Sequence, residues 1–256
     1  MHLQAAADVL GVHYQTAYGW VRSGVLPARK VGRGYEVSEQ DVSRLAAQRQ
    51  RGQRPAGQIQ VRDWAVQADH MFAAIADGRE ILARKIAGRL AGHVCLTDLC
   101  DRLIAPALRR VGDEWAAGRL SVGHEHRATA ICERVLAAHA TQPSGRPRGT
   151  AVVTTPPGER HGMPALMAAV CLRENHWQVH HLAADLPIAE LIKMVLATSA
   201  DLVVLSTASV AGAASAERAA RALRRDTRGV TVLIGHSGDS LSDLRDAAVR
   251  ARETSP

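Results

Sequence analysis

Two short stretches hold residues whose types and spacing could do chemistry. In "TTPPGERHGMP", residues 154–164, Glu159 stands two residues before His161, just ahead of an amphipathic run through Met163, Leu166, Met167, Val170 and Cys171. A neutral imidazole can ligate a metal, and a carboxylate on its far ring nitrogen holds the ring and raises its basicity. A lone histidine is too few for zinc, which takes several protein ligands. A cofactor that brings its own equatorial ligands needs a single axial side chain, which points to a corrin or a haem. In the second stretch, "WAAGRLSVGHEH", Trp115 is followed after nine residues by Glu125 and His126. On a helix starting near Ser121, the residues Val122, Glu125, His126 and Thr129 share one face. An indole can shield an apolar group there, and a carboxylate can accept from hydroxyls. Taken singly, each has a plainer role: Trp115 in a core, His126 on a surface, Glu159 and His161 as a loop ion pair.

The elements that must position these residues follow from the patterning. Within residues 151–256, "AVVTT", "QVHHLA", "LVVLS" and "VTVLIG" are short β-branched runs separated by helical stretches. Strand alternating with helix predicts a parallel, doubly wound sheet of the Rossmann type, whose ligands bind at the carboxyl ends of the strands. The first such end is the Glu159–His161 loop, and Pro164 suits the first turn of the helix after it. Residues 62–140 read as helical throughout, with breaks near Gly78 and Gly92, a third helix through Leu99, Leu103, Ala107 and Leu108 to Trp115, and a fourth from about Ser121 to Ala140. Four helices with short joins predict an up-down bundle. The polar stretches 47–61 and 141–150 read as linkers.

Residues 1–46 read as helix, turn, helix and a small hairpin wing. Ala6, Val9 and Leu10 give an apolar face, Gly11 a turn, and Ala17 and Val21 a second face. "SGVLPARKVGRGYEVS" has turn residues at both ends and β-formers between. Residues 1–60 hold eight Lys and Arg against four acids, a net +4 of the chain's +7. A compact basic module implies a polyanion partner. The expected class is thus multidomain α and α/β: a winged helix-turn-helix, a four-helix bundle and a C-terminal doubly wound sheet. The four cysteines form no CxxC pair, which disfavours a zinc ribbon or a disulfide framework and fits a reducing cytoplasm. No signal peptide and no membrane-spanning run is expected.

The N-terminal pattern resembles the helix-turn-helix of the MerR and excisionase families. That resemblance implies double-stranded operator DNA as partner. It places His13, Tyr14, Gln15, Thr16 and Tyr18 at the front of a recognition helix facing base edges, and Arg22, Arg29, Lys30, Arg33 and Tyr35 at phosphates. The bundle and sheet, with E-x-H after the first strand, resemble cobalamin-binding domains of methionine synthase and corrinoid proteins. The match continues at Ser206 in "LSTAS" and Gly235 in "IGHSG". The departures are Pro164 and His236, each standing where the motif carries glycine. The resemblance implies that His161 is the lower axial ligand of cobalt, with Glu159 behind it. The spacing from Trp115 to Glu125–His126, behind a DNA-binding module, resembles light-responsive regulators of the CarH/LitR type. It implies adenosylcobalamin as cofactor, with Trp115 and Val122 packed around its upper group and Glu125 and His126 bonded to it. Ala116 stands where some members carry a histidine. The function implied is a transcriptional regulator, in the repressor sense, that is not an enzyme. It would sense adenosylcobalamin and light through a dimer or tetramer whose assembly depends on both. The alternatives are a methyl-carrying corrinoid protein for a methyltransferase and a haem- or redox-sensing regulator on the same scaffold.

Overall fold

Gly11 adopts φ 63° and ψ 40°, a left-handed conformation that costs an L side chain energy but glycine almost nothing. It stops α1 (Leu3–Leu10) and turns the chain into α2 (Tyr14–Arg22). The computed structural model describes residues 1–12, 14–22, 24–32, 34–50, 63–140 and 146–253. These divide into two units, Met1–Ser144 and Gly145–Pro256.

In the first unit, β1 (Ala28–Val31) and β2 (Gly34–Val37) pair antiparallel as a wing, and α3 (Glu39–Gln50) closes the module. The face of α1 that packs is Leu3, Ala6, Ala7 and Leu10, which meets Ala17, Trp20, Leu26, Val37, Val42 and Leu45. Val9, expected on that face, is exposed, because the i, i+3, i+4, i+7 stripe falls one residue away from it. Helix α3 lies partly in the stretch expected to be linker. Ser38 starts it: its Oγ accepts from the Asp41 N–H at 3.0 Å, an N-cap bond, and Arg44 pairs with Asp41 one turn on. Residues 51–61 of the expected linker and 141–145 of the second lie outside the described residues.

The bundle comprises α4 (Trp64–Ala76), α5 (Glu80–Ala91), a third helical run and α8 (Val122–Ala137). The third run is α6 (Leu96–Leu99), a π-helical turn at Cys100–Ile104, and α7 (Ala105–Ala116). Pro106 explains the wide turn: it has no N–H, and its ring would strike a carbonyl of a regular helix. Gly118, with φ 73°, ends the α7 segment.

The second unit is a four-stranded parallel sheet in the order β4-β3-β5-β6, with β3 (Thr150–Thr154), β4 (Gln178–His181), β5 (Leu202–Ser206) and β6 (Thr231–Gly235). Successive side chains point to opposite faces. Ala151, Val153, Leu202 and Val204 pack on α9 (Met163–Glu174) and α12 (Leu241–Glu253). Val152, Val203 and Leu205 pack on α10 (Ile188–Thr198) and α11 (Val210–Asp226). Crossovers on both faces make a switch point between β3 and β5, where the loops leaving those strands part to opposite sides. Among the described residues no helix is long and apolar enough to cross a membrane.

Gly11→Ala should destabilise the N-terminal module by about 1 kcal/mol, through a side chain forced into the left-handed region. Hydrogen exchange of the α1 amides would show it; unchanged protection would refute the role given to this turn.

Candidate functional site

The two loops at the switch point meet through one carboxylate. Glu159 is buried, and it comes from the loop between β3 and α9. Its Oε2 accepts from the Ala208 N–H at 3.0 Å, the Ser209 N–H at 2.9 Å and the Ser209 hydroxyl at 2.8 Å. Its Oε1 accepts from the His161 N–H at 3.0 Å and lies 2.5 Å from His161 Nδ1. Ser209 is the N-cap of α11, and its Oγ also accepts from the Gly212 N–H at 2.9 Å. The carboxylate therefore sits at a helix N-terminus, where unpaired amides and the helix dipole favour negative charge. Burial pushes this carboxyl up. The donors outweigh it, namely the His161 N–H, the Ser209 hydroxyl, the His161 ring and the Ala208 N–H, and they hold the group down at about 2. It is an anion at any ordinary pH.

Neighbouring bonds fix the loop itself. Thr155 Oγ1 donates to the Glu159 carbonyl at 2.5 Å and accepts from the Asp185 N–H at 2.8 Å. Asp185 Oδ1 accepts from the Gly158 N–H at 2.7 Å. A Cβ on Gly212 would lie 2.3 Å from Glu159 Oε2, so only glycine leaves room for the carboxylate.

The consequence falls on His161. Glu159 holds Nδ1, the side chain is 67% exposed, and among the described residues Nε2 has no protein bond. Such an imidazole has one nitrogen anchored and one presented outward, as an axial ligand requires. Among the described residues no three His, Cys, Asp or Glu side chains gather to hold a metal ion. A metal held here would bring most of its own ligands, so the donor set fits a corrin and not a zinc site. Ser206 and Gly235, also expected at this site, sit side by side at the ends of β5 and β6. Ser206 is buried within the strand and makes no bond to Glu159. Sequence reasoning missed Ser209 and Gly212. A serine opening a helical run, with glycine three residues on, was the signal available. His236 Nδ1 lies 3.3 Å from Thr207 Oγ1, and its N–H donates to Asp239 at 2.7 Å.

The second stretch lies in the first unit. Trp115 near the end of α7 and Val122 at the start of α8 are both about half exposed, at 50% and 54%. Glu125 Oε1 accepts from Thr129 Oγ1 at 2.9 Å, and its Oε2 lies 2.9 Å from His126 Nδ1. An acid in the first turn suits the helix dipole. The four residues thus share one end of the bundle, with their apolar groups uncovered.

In the N-terminal module, Tyr14 stacks on Tyr18 at 6.3 Å, and Tyr35 of the wing meets Tyr18 edge-on at 5.7 Å. Lys30 is exposed on β1, and Arg29 pairs with Glu36 across the hairpin at 3.4 Å. Thr16 is buried, and its hydroxyl donates to the Ala91 carbonyl of the bundle at 2.9 Å. Gln15 and Arg22 lie on α2; His13 and Arg33 are outside the described residues.

Comparison with known proteins gives these sites a class. A helix-turn-helix domain model matches residues 2–50, and B12 binding domain models match residues 67–139 and 149–240. The chain thus matches a helix-turn-helix model and two B12 binding domain models in that order along its length, in agreement with the resemblance in its sequence. Over 137 residues it is 34% identical to the HTH-type transcriptional repressor CarH of Myxococcus xanthus. That match takes in 53% of this chain and 46% of the relative, so the chain spans a little under half of that protein's length. In fold it is similar to the monomethylamine corrinoid protein of Methanosarcina barkeri, with a TM-score of 0.59 at 14% identity. This likeness covers 73% of this chain and 99% of that one.

The pH dependence of stability tests the cradle. Glu159 titrates at about 2 when folded against 4.5 in its ordinary state. A depressed carboxyl stabilises the fold fully above the ordinary value, and the contribution fades as pH falls from there towards the folded value. Glu159→Gln should cost on the order of 3 kcal/mol at pH 7, by the linkage arithmetic. The gap between wild type and variant in denaturant unfolding of the sheet domain should narrow from pH 4.5 downward. A gap that stays constant down to pH 2.5 would contradict this account.

Proposed function

We propose that the chain is a DNA-binding transcriptional regulator, acting as a repressor and not an enzyme, that senses adenosylcobalamin in the cytoplasm. The observation that carries the reading is the anchored His161 imidazole in a chain that also holds a helix-turn-helix module. His161 would be the lower ligand through Nε2, with Glu159 fixing the tautomer through Nδ1. Trp115 and Val122 would cover the upper adenosyl group, and Glu125 and His126 would bond its ribose hydroxyls. Bound adenosylcobalamin would supply a photolabile cobalt–carbon bond and hence sensitivity to light.

The protein's own part is recognition and assembly. Exposed Trp115 and Val122 leave apolar area that a ligand or a second copy would bury, at about 25 cal/mol for each Å² covered. The reading therefore includes a dimer or tetramer that depends on cofactor and light. Operator contacts would come from Tyr14, Gln15, Thr16 and Tyr18 on α2 with His13 before it, and phosphate contacts from Arg22, Arg29, Lys30, Arg33 and Tyr35. Ser206 and Gly235 would border the cofactor at the ends of their strands.

The test mixes purified protein with adenosylcobalamin in the dark. Wild type should show the spectrum of histidine-ligated cobalt, and His161→Ala should lose that spectrum and most of its affinity. Glu125→Ala should weaken binding by roughly 1–3 kcal/mol through unpaired hydroxyl donors. Size-exclusion chromatography should then separate the dark complex from the illuminated and cofactor-free protein. Identical elution in all three states would refute the light-dependent assembly. Equal binding of cobalamins with small upper ligands would favour a methyl-carrying corrinoid protein instead.

A further inference from the structure

The helix that should read DNA is already in use. Thr16 of α2 donates its hydroxyl to the carbonyl of Ala91, the last residue of α5. That carbonyl lacks an intrahelical partner, as the final carbonyls of any helix do. Three residues along α2, Gly19 faces the next peptide of the same helix end. A Cβ built on Gly19 would lie 1.7 Å from the Gly92 oxygen and 2.6 Å from its carbonyl carbon. Both partners are backbone, so neither can step aside as a flexible side chain would. Glycine inside a nine-residue helix weakens that helix. Here its missing side chain permits the approach.

The face involved is the informative part. Ala17 and Trp20 point into the module's own core. At 100° per residue, Gly19 lies on the side of α2 turned away from that core, and Thr16 lies at its edge. This is the side a recognition helix turns into the major groove. The C-terminal end of α5 covers it. We propose that this contact is an autoinhibitory lock: the bundle holds the groove-facing side of α2, and DNA is bound only after α2 leaves α5. The proposal rests on the reading of α2 as a recognition helix. Apparent affinity for DNA is then the intrinsic affinity reduced by the fraction of unlocked molecules.

The test uses the full chain, with Gly19→Ala and Thr16→Val as independent variants. The first places a methyl where the docked state has no room. The second removes a single hydroxyl at nearly constant shape. Circular dichroism checks that each is folded, small-angle scattering reads the dimensions, and fluorescence anisotropy reads binding to a 30-base-pair duplex of random sequence at low salt. A random duplex is held by phosphate contacts and so does not depend on base reading by α2. Both variants should be more extended than wild type. Thr16→Val should bind about five-fold tighter, the worth of a single hydrogen bond, and Gly19→Ala at least as much. Wild type should reach the same extended dimensions once saturated with duplex. Variants identical to wild type in size and affinity would overturn the lock. Expanded variants that bind no tighter than wild type would overturn inhibition and leave the DNA reading standing. Expanded variants with no duplex binding by any form would overturn the DNA reading, and the lock with it.

Discussion

A carboxylate taken out of water is stable only if donors replace the solvent it loses, and the second unit is arranged around that requirement. Glu159 receives bonds from two separate loops, those following β3 and β5. These loops can meet because β3 and β5 are adjacent in the sheet while their helices leave on opposite faces. The cap serine of α11, the amides at that helix end and the bare Cα of Gly212 all converge on the same oxygen. Moving any one of them leaves a buried charge short of a partner. The cradle therefore ties the loop geometry to the stability of the domain, and it sets the orientation of His161 as a by-product.

That dependence explains which parts were legible in the sequence. The four strands are continuous apolar, β-branched runs, because both faces of a parallel sheet are covered. Glu159 and His161 stood out because their spacing along the chain is itself the motif. Ser209 did not, since its bond to Glu159 spans 50 residues and depends on strand order. Ser206 was the more prominent serine, but a strand residue paired with Gly235 points where the pleat dictates. Helix α3 was hidden by its polar surface, although the Ser38–Asp41 cap announces it. The π-helical turn before Pro106 needs knowledge of which carbonyls the ring would strike. Thr16 stands at a base-reading position of α2, and helix position alone is silent about its bond to a carbonyl 75 residues away.

The two candidate ligand sites differ in preparation. His161 is held before anything binds: its ring is anchored, its peptide N–H is bonded, and the backbone on either side is pinned. A ligand meeting it loses little freedom in the protein. At the bundle end, Glu125 is partnered by Thr129 and His126, yet Trp115 and Val122 remain uncovered. Large exposed apolar groups close together mark surfaces that gain by being covered. A ligand there would draw its affinity from burial, and its polar groups would have to replace existing bonds to Glu125. Orientation comes from one site and burial from the other.

The bundle also touches the helix-turn-helix module, and the strength of that contact decides what it can do. One hydroxyl bond to a helix-end carbonyl is worth about 1 kcal/mol net, and a close glycine approach adds weak Cα–H···O attraction of similar or smaller size. A lock of that strength is easily biased. A ligand shifts such an equilibrium only by the difference between its affinities for the two states, and about 1.4 kcal/mol of difference changes the ratio tenfold. A rearrangement of the bundle that turned the Ala91 and Gly92 carbonyls away from α2 would supply that much. The bundle is joined by direct bonds that would carry such a change: Arg134 of α8 pairs with Glu80 of α5 at 2.8 Å, and Arg127 of α8 donates to the Ala76 carbonyl of α4 at 2.6 Å. Helix α8 begins at Val122, with Glu125 and His126 in its first two turns, so the element that carries three of the four candidate upper-site residues is bonded to the helix whose far end holds α2. Coupling between the two would need no change of fold, only a small displacement of α5 relative to a glycine that tolerates no side chain.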